Sequence, residues 1–152
     1  MKHFKAYEIV DRETYERLGE EDSFALFKPI VLQTLDDLWE FFNIEYHKIY
    51  GAEKASITVN NWKWGGKNQW RGLRTPEKAK ELGSPNSRHK MGDAFDCTIK
   101  GFTAEKARQL IIRNKDNPLL VNITRLEDKV SWLHWDMKPL VNGQERIYLF
   151  KP

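Results

Sequence analysis

The chain reads as a single α+β domain, with helices packed on a small, mainly antiparallel sheet. Three observations lead there. One long stretch, Pro29 to about Tyr50, repeats its apolar residues at helical steps, and several short stretches alternate as strands do. The two kinds are mixed along the chain with no linker, internal repeat or low-complexity segment between them. At 152 residues and 18.0 kDa the chain is long enough to bury a proper core. Residues 1–55 read as a helical part and residues 56–140 as the sheet region that carries the motifs.

The first helix is expected over Asp11 to Glu21, short and charged, followed by an apolar patch from Phe24 to Phe27. From Pro29 to Tyr50 the residues Val31, Leu35, Leu38 and Phe42 recur at four- and three-residue steps. Trp39 lies beside them, while Asp36, Asp37 and Glu40 lie off the stripe. Pro29 suits a first turn and Gly51 an end, so this is the main core helix. Ser56 to Asn60 alternates and is β-branched, a strand. Asn61 to Arg74 is a loop rich in Trp, Gly and basic residues, and such loops lie on surfaces and often carry function. Thr75-Pro76 caps a brief helix, Glu77 to Leu82, closed by Gly83. Asp93 to Ile99 reads as a strand, and Thr103 as the N-cap of a helix to about Asn114 with Ala104, Ala107, Leu110 and Ile111 on one face. Asn117-Pro118 breaks that helix. Leu119 to Leu126 and Val130 to Met137 are expected strands joined by a tight turn at Glu127-Asp128-Lys129, and Glu145 to Phe150 is the last strand.

Composition bounds the partners. Hydrophobic residues make up 40% and charged residues 31%, a globular balance. The net charge of +3 and pI near 8.9 allow an anionic partner without demanding one. A single cysteine, Cys97, excludes an internal disulfide framework and a Cys-rich zinc site. No stretch approaches the length of a membrane span, and no apolar signal core follows Met1. Without a Sec-type signal, the expected location is cytoplasmic until release or delivery.

The chemistry concentrates in two places. Ser87 to Gly101 sets His89 in a polar loop, then Gly92, then Asp96 inside an alternating run. In extended backbone Asp96 points to one face while Phe95 and Cys97 point to the other. In Trp132-Leu133-His134-Trp135-Asp136, residues 132, 134 and 136 share a face opposite Leu133 and Trp135. Two strands could therefore bring His89, Asp96 and His134 to one point. Two imidazoles and a carboxylate, with a fourth position left to water, are what a catalytic zinc site needs. The plainer alternative is a solvated His89, an Asp96 that caps a turn and a half-buried His134.

Ser87-Arg88-His89-Lys90-Met91-Gly92-Asp93-Ala94-Phe95-Asp96 resembles the Ser-x-His-x-x-Gly-x-Ala-x-Asp signature of a zinc peptidase superfamily, with every fixed position present. That superfamily contains the D-alanyl-D-alanine carboxypeptidases and dipeptidases, the phage L-alanyl-D-glutamate endopeptidases and the fold of the hedgehog signalling domain. Trp132 to Asp136 resembles its second signature. The resemblance spans roughly residues 56–140 and implies zinc held by His89, Asp96 and His134. It also implies an arginine upstream of the first ligand, which Arg74 in Arg71-Gly72-Leu73-Arg74 supplies; its planar fork would hold the oxyanion of a scissile carbonyl. The implied activity is metallopeptidase cleavage of peptidoglycan stem peptides, as carboxypeptidase or endopeptidase of a phage or prophage type.

One departure concerns the general base. Many relatives place a glutamate three residues before the last histidine, where this chain has Ser131; others place a histidine two residues before, where it has Trp132. If Val130 to His134 is extended, Asp128 lies about 20 Å along the strand from His134, too far without a sharp bend. Asp136, about 7 Å away on the His134 face, either acts as the base or hydrogen-bonds a ligand histidine. Two other classes of function stay open: a catalytically silent zinc-stabilised module, for which Ser131 speaks, and a nucleic-acid-binding domain built on Trp62, Lys63, Trp64, Lys67, Trp70 and Arg71. Beside a peptidase site, those residues would instead form one wall of a substrate groove, with at least two of the tryptophans in the core.

Overall fold

A computed structural model describes residues 1–51 and 55–151. Its described residues form four α-helices, α1 (Arg12–Ala25), α2 (Pro29–Tyr50), α3 (Pro76–Glu81) and α4 (Ala104–Arg113). Five strands, β1 (Ile57–Thr58), β2 (Ala94–Ile99), β3 (Arg125–Glu127), β4 (Leu133–Asp136) and β5 (Tyr148–Phe150), make one sheet in the order β1-β2-β4-β3-β5. All neighbouring strands are antiparallel except β3 and β5, which run parallel. This is the α+β architecture expected.

Local chemistry sets the helix ends. The Asp11 carboxylate accepts from the Thr14 backbone N–H at 3.1 Å and from its hydroxyl at 2.6 Å, which satisfies donors that the first turn of α1 cannot pair internally. Thr75 and Thr103 accept in the same way from Lys78 and Lys106. Pro29 opens α2, and Gly51 closes it. Asp36, off the apolar stripe of α2, is nonetheless buried, because its carboxylate accepts from the backbone N–H groups of Lys2 and His3 at 2.7 and 2.9 Å.

The core lies between α2 and one face of the sheet. Val31, Leu35, Leu38, Phe41 and Phe42 of α2 meet Phe95 and Cys97 of β2 and Leu133 and Trp135 of β4, while Ala107 and Ile111 of α4 close another side. Phe27, Phe95 and Trp135 form a contiguous aromatic series with centroids 5.6 and 5.3 Å apart. Each fully buried side chain of this size contributes roughly 1.5–3 kcal/mol. The alternation that sends Phe95 and Trp135 into this core sends Asp96 and His134 to the opposite face.

Two expectations need correcting. The strand expected over Leu119 to Leu126 is only Arg125–Glu127. Before it, Pro118–Leu120 is a 3-10 turn: the Asn117 side chain accepts from the Leu119 N–H, and Leu120 and Ile123 are buried from irregular backbone. The Trp-rich loop also differs. Of its tryptophans only Trp62 is buried, donating its indole N–H to the Val10 carbonyl at 3.0 Å, while Trp64 is 61% exposed. No helix among the described residues is long and apolar enough to cross a membrane.

Candidate metal centre

Three backbone devices bring the chemistry together. The first is a 3-10 turn at Arg88–Met91, whose N-cap Ser87 accepts from the His89 N–H at 3.3 Å. Gly92 ends the turn at φ 64°, a left-handed conformation that favours glycine, and feeds the chain into β2. A fork from Arg88 to the Asp93 carboxylate ties the turn to the strand start.

The second device is the segment 71–74, which threads between the N-terminal segment and the site. Arg71 accepts from the Asp96 N–H at 2.8 Å, and Arg74 donates to the His89 carbonyl at 3.2 Å. Gly72 must be glycine here, since a Cβ at that position would sit 2.0 Å from the Ile9 carbonyl oxygen. That close approach lets the Gly72 carbonyl accept from His89 Nδ1 at 2.8 Å. The bond fixes the tautomer and leaves His89 Nε2 turned to the site.

The third device is strand register. Asp96 of β2 is paired directly with His134 of β4, and such cross-strand pairs share a face. His134 Nδ1 lies 2.7 Å and His89 Nε2 3.3 Å from the same oxygen, Asp96 Oδ1. Ligand atoms of His89, Asp96 and His134 all fall within 4.8 Å of one another, and all three residues are buried. The three expected ligands therefore converge, and the group could hold a metal ion.

The candidate ligands are held from behind. Asp96 Oδ2 accepts from Arg74 Nη2 at 2.7 Å, and Arg74 Nε donates to the Trp70 carbonyl at 2.5 Å. Asp136 is fully buried and clamped by Arg125, Nε to Oδ1 at 2.8 Å and Nη2 to Oδ2 at 2.5 Å, with the Lys138 N–H also donating to Oδ1. Its Oδ2 is 3.5 Å from His134 Nε2, on the side of the ring away from Asp96. Arg125 in turn lies over the Phe150 ring at 4.4 Å, and that ring meets the His134 ring edge-on at 5.6 Å.

The electrostatics follow from this packing. Burial pushes the Asp96 carboxyl up, but His89 and His134 together outweigh it and hold the group far below the usual carboxylate range. Burial lowers the His89 pKa, outweighing the opposing pull of Asp96. Burial also opposes charge on His134, yet its bonds to Asp136 and Asp96 prevail and raise its pKa to about 9. Without a cation, a proton on His134 Nδ1 bridges to Asp96; a metal ion would take that proton's place. Burial pushes the Cys97 thiol up to about 12 on the core side of β2, so it is an inert apolar filler.

The centre lies in a cleft of about 510 Å³ lined, among others, by Arg74, Arg88, Arg125, Trp132, Phe150 and Lys151. Trp62, Lys63, Trp64, Lys67, Trp70 and Arg71 are not among its lining residues; of the Trp-rich loop, Arg74 alone of the named lining residues reaches this cleft. Lys63 instead stands over the rings of Tyr7, Tyr15 and Trp62, 5.8–5.9 Å from each centroid. Ser131 lines a separate groove of about 410 Å³ with Cys97, Thr98 and Arg108.

Sequence reasoning left Glu127 without a role, yet it lines the same cleft as His89, Asp96 and His134, from β3. Burial raises its pKa, partly offset by His134. Comparison of the chain with family models, with curated proteins and with solved structures gave no match.

Proposed function

We propose that this chain is a zinc-dependent peptidase acting on the peptide stems of bacterial peptidoglycan. The observation that carries the reading is the convergence of two imidazole nitrogens and one carboxylate oxygen at the floor of a cleft. This donor set suits zinc, with three protein ligands and a position left open on the cleft side. The resemblance of Ser87 to Asp96 to the zinc peptidase signature supports a peptide bond containing D-amino acids as the target.

Bound there, zinc would act as a Lewis acid on the scissile carbonyl and make water nucleophilic near neutral pH. The chain's own residues do the rest. His89 Nε2, His134 Nδ1 and Asp96 Oδ1 would hold the ion. The Gly72 carbonyl and the Asp136 carboxylate keep the two rings from rotating. Arg74 orients Asp96 through Nη2, leaving Nη1 to donate to the oxygen that gains negative charge in the transition state.

Digestion of purified peptidoglycan and of a synthetic stem peptide, read by mass spectrometry, tests the proposal. Cleavage next to a D-residue, abolished by a chelator and restored by zinc, is expected. Intact substrates after incubation with zinc-replete protein would overturn it.

A further inference from the structure

We infer that Glu127, carried on β3 beside the ligand strand, is the general base of the hydrolysis, an assignment that rests on the peptidase reading. The paired residues of β3 and β4 are Arg125 with Asp136 and Leu126 with Trp135. One further step of that antiparallel register brings Glu127 level with His134. His134 thus has Asp96 on one flank and Glu127 on the other, all on one face of the sheet.

Distance agrees with register. Glu127 Oε2 lies 3.9 Å from His134 Nδ1, the nitrogen that also turns to Asp96. The carboxylate therefore stands on the metal side of the ring. Its side chain is 15% exposed and lines the cleft, so water and substrate reach it. Among the described residues it has no hydrogen bond, and His134 is its one ion-pair contact within 4 Å. A carboxylate so placed has oxygen lone pairs to spare.

The other acids and the serine do not meet these conditions. Asp136 is fully buried, has both oxygens engaged by Arg125, and faces the opposite ring nitrogen. Asp96 is clamped between Arg74 and the two histidines. Ser131 opens onto the other groove, so a carboxylate there would not reach the metal cleft. The candidate base thus stands on β3 and not at position 131.

The step balances. As the water oxygen forms its bond to the carbonyl carbon, a water proton passes to Glu127 Oε2. As the carbon–nitrogen bond breaks, that proton passes from Oε2 to the leaving amine nitrogen. One water is consumed and a carboxylic acid and an amine are formed; the second water proton passes from the acid to the amine, giving carboxylate and ammonium, and Glu127 returns to its ionised state.

Glu127→Gln, which keeps shape and removes the proton acceptor, tests this with full-length protein, zinc and a synthetic stem peptide. Turnover should fall ~100- to 10,000-fold, the range for loss of general acid–base help. Zinc per chain should be unchanged, and peptide affinity by calorimetry should stay within about twofold, so the variant holds intact peptide. Wild-type turnover in Glu127→Gln, beside an active wild type, would overturn the assignment and leave the peptidase reading standing. Loss of zinc from Glu127→Gln would overturn it in favour of a ligand role. A zinc-loaded wild type that cleaves no stem peptide would refute the peptidase reading, and the base with it.

Discussion

Asp136→Asn separates the two roles that an acid beside His134 can have. The wild-type carboxylate is fully buried and shares two hydrogen bonds with Arg125, whose side chain is 14% exposed. Removing one partner of a buried ion pair costs about 3–5 kcal/mol. Asparagine keeps one oxygen for the Lys138 N–H or for Arg125, so the low end, about 3 kcal/mol, is expected. At about 2–4 °C per kcal/mol for a chain of this size, the melting temperature should drop by roughly 6–12 °C. The substitution also removes the negative charge 3.5 Å from His134 Nε2 that would make the ring a better metal ligand. Zinc affinity, measured by competition with a chromophoric chelator, should weaken ~10- to 100-fold. Turnover should return toward wild type when zinc is added in excess. A variant with wild-type zinc affinity and a turnover still ~100-fold down at saturating zinc would refute this reasoning, and would make Asp136 itself the base.

Arg74→Lys keeps the charge but cannot hold Asp96 and Trp70 while also reaching substrate, so turnover should fall with zinc content retained; wild-type kinetics would remove Arg74 from the mechanism. Ser131→Glu should change neither zinc content nor hydrolysis, because position 131 faces the groove beside Arg108; a large gain in hydrolysis would mean that the native protein lacks a working base and that Glu127 does not act as one.

Much of the fold was legible because its signals are local. Pro29, the apolar steps from Val31 to Phe42 and Gly51 delimit α2 within the chain itself, and the helix runs Pro29–Tyr50. The alternation around Asp96 and His134 likewise fixes which face each side chain takes. The Leu119 to Leu126 stretch misled for a local reason too: Leu120, Ile123 and Leu126 are buried, but Pro118 lacks the N–H a ladder would use and Asn117 caps a turn. Glu127 was illegible because its position depends on pairing. Counted along an extended strand, seven residues place it more than 20 Å from His134. The chain instead turns back through Lys129, at φ 59°, and register brings the two together. The role of Gly72 was hidden for the same reason, since the Ile9 carbonyl it must pass lies far away in sequence.

Metal analysis tests the central claim most directly. Wild-type protein and the variants His89→Ala, Asp96→Ala and His134→Ala would be purified from zinc-supplemented medium, dialysed and measured for zinc by mass spectrometry, with circular dichroism confirming that each is folded. The account predicts one zinc per wild-type chain and loss of zinc from each folded variant, because three ligands become two. Wild-type protein without zinc, or three variants that retain it, would contradict the account.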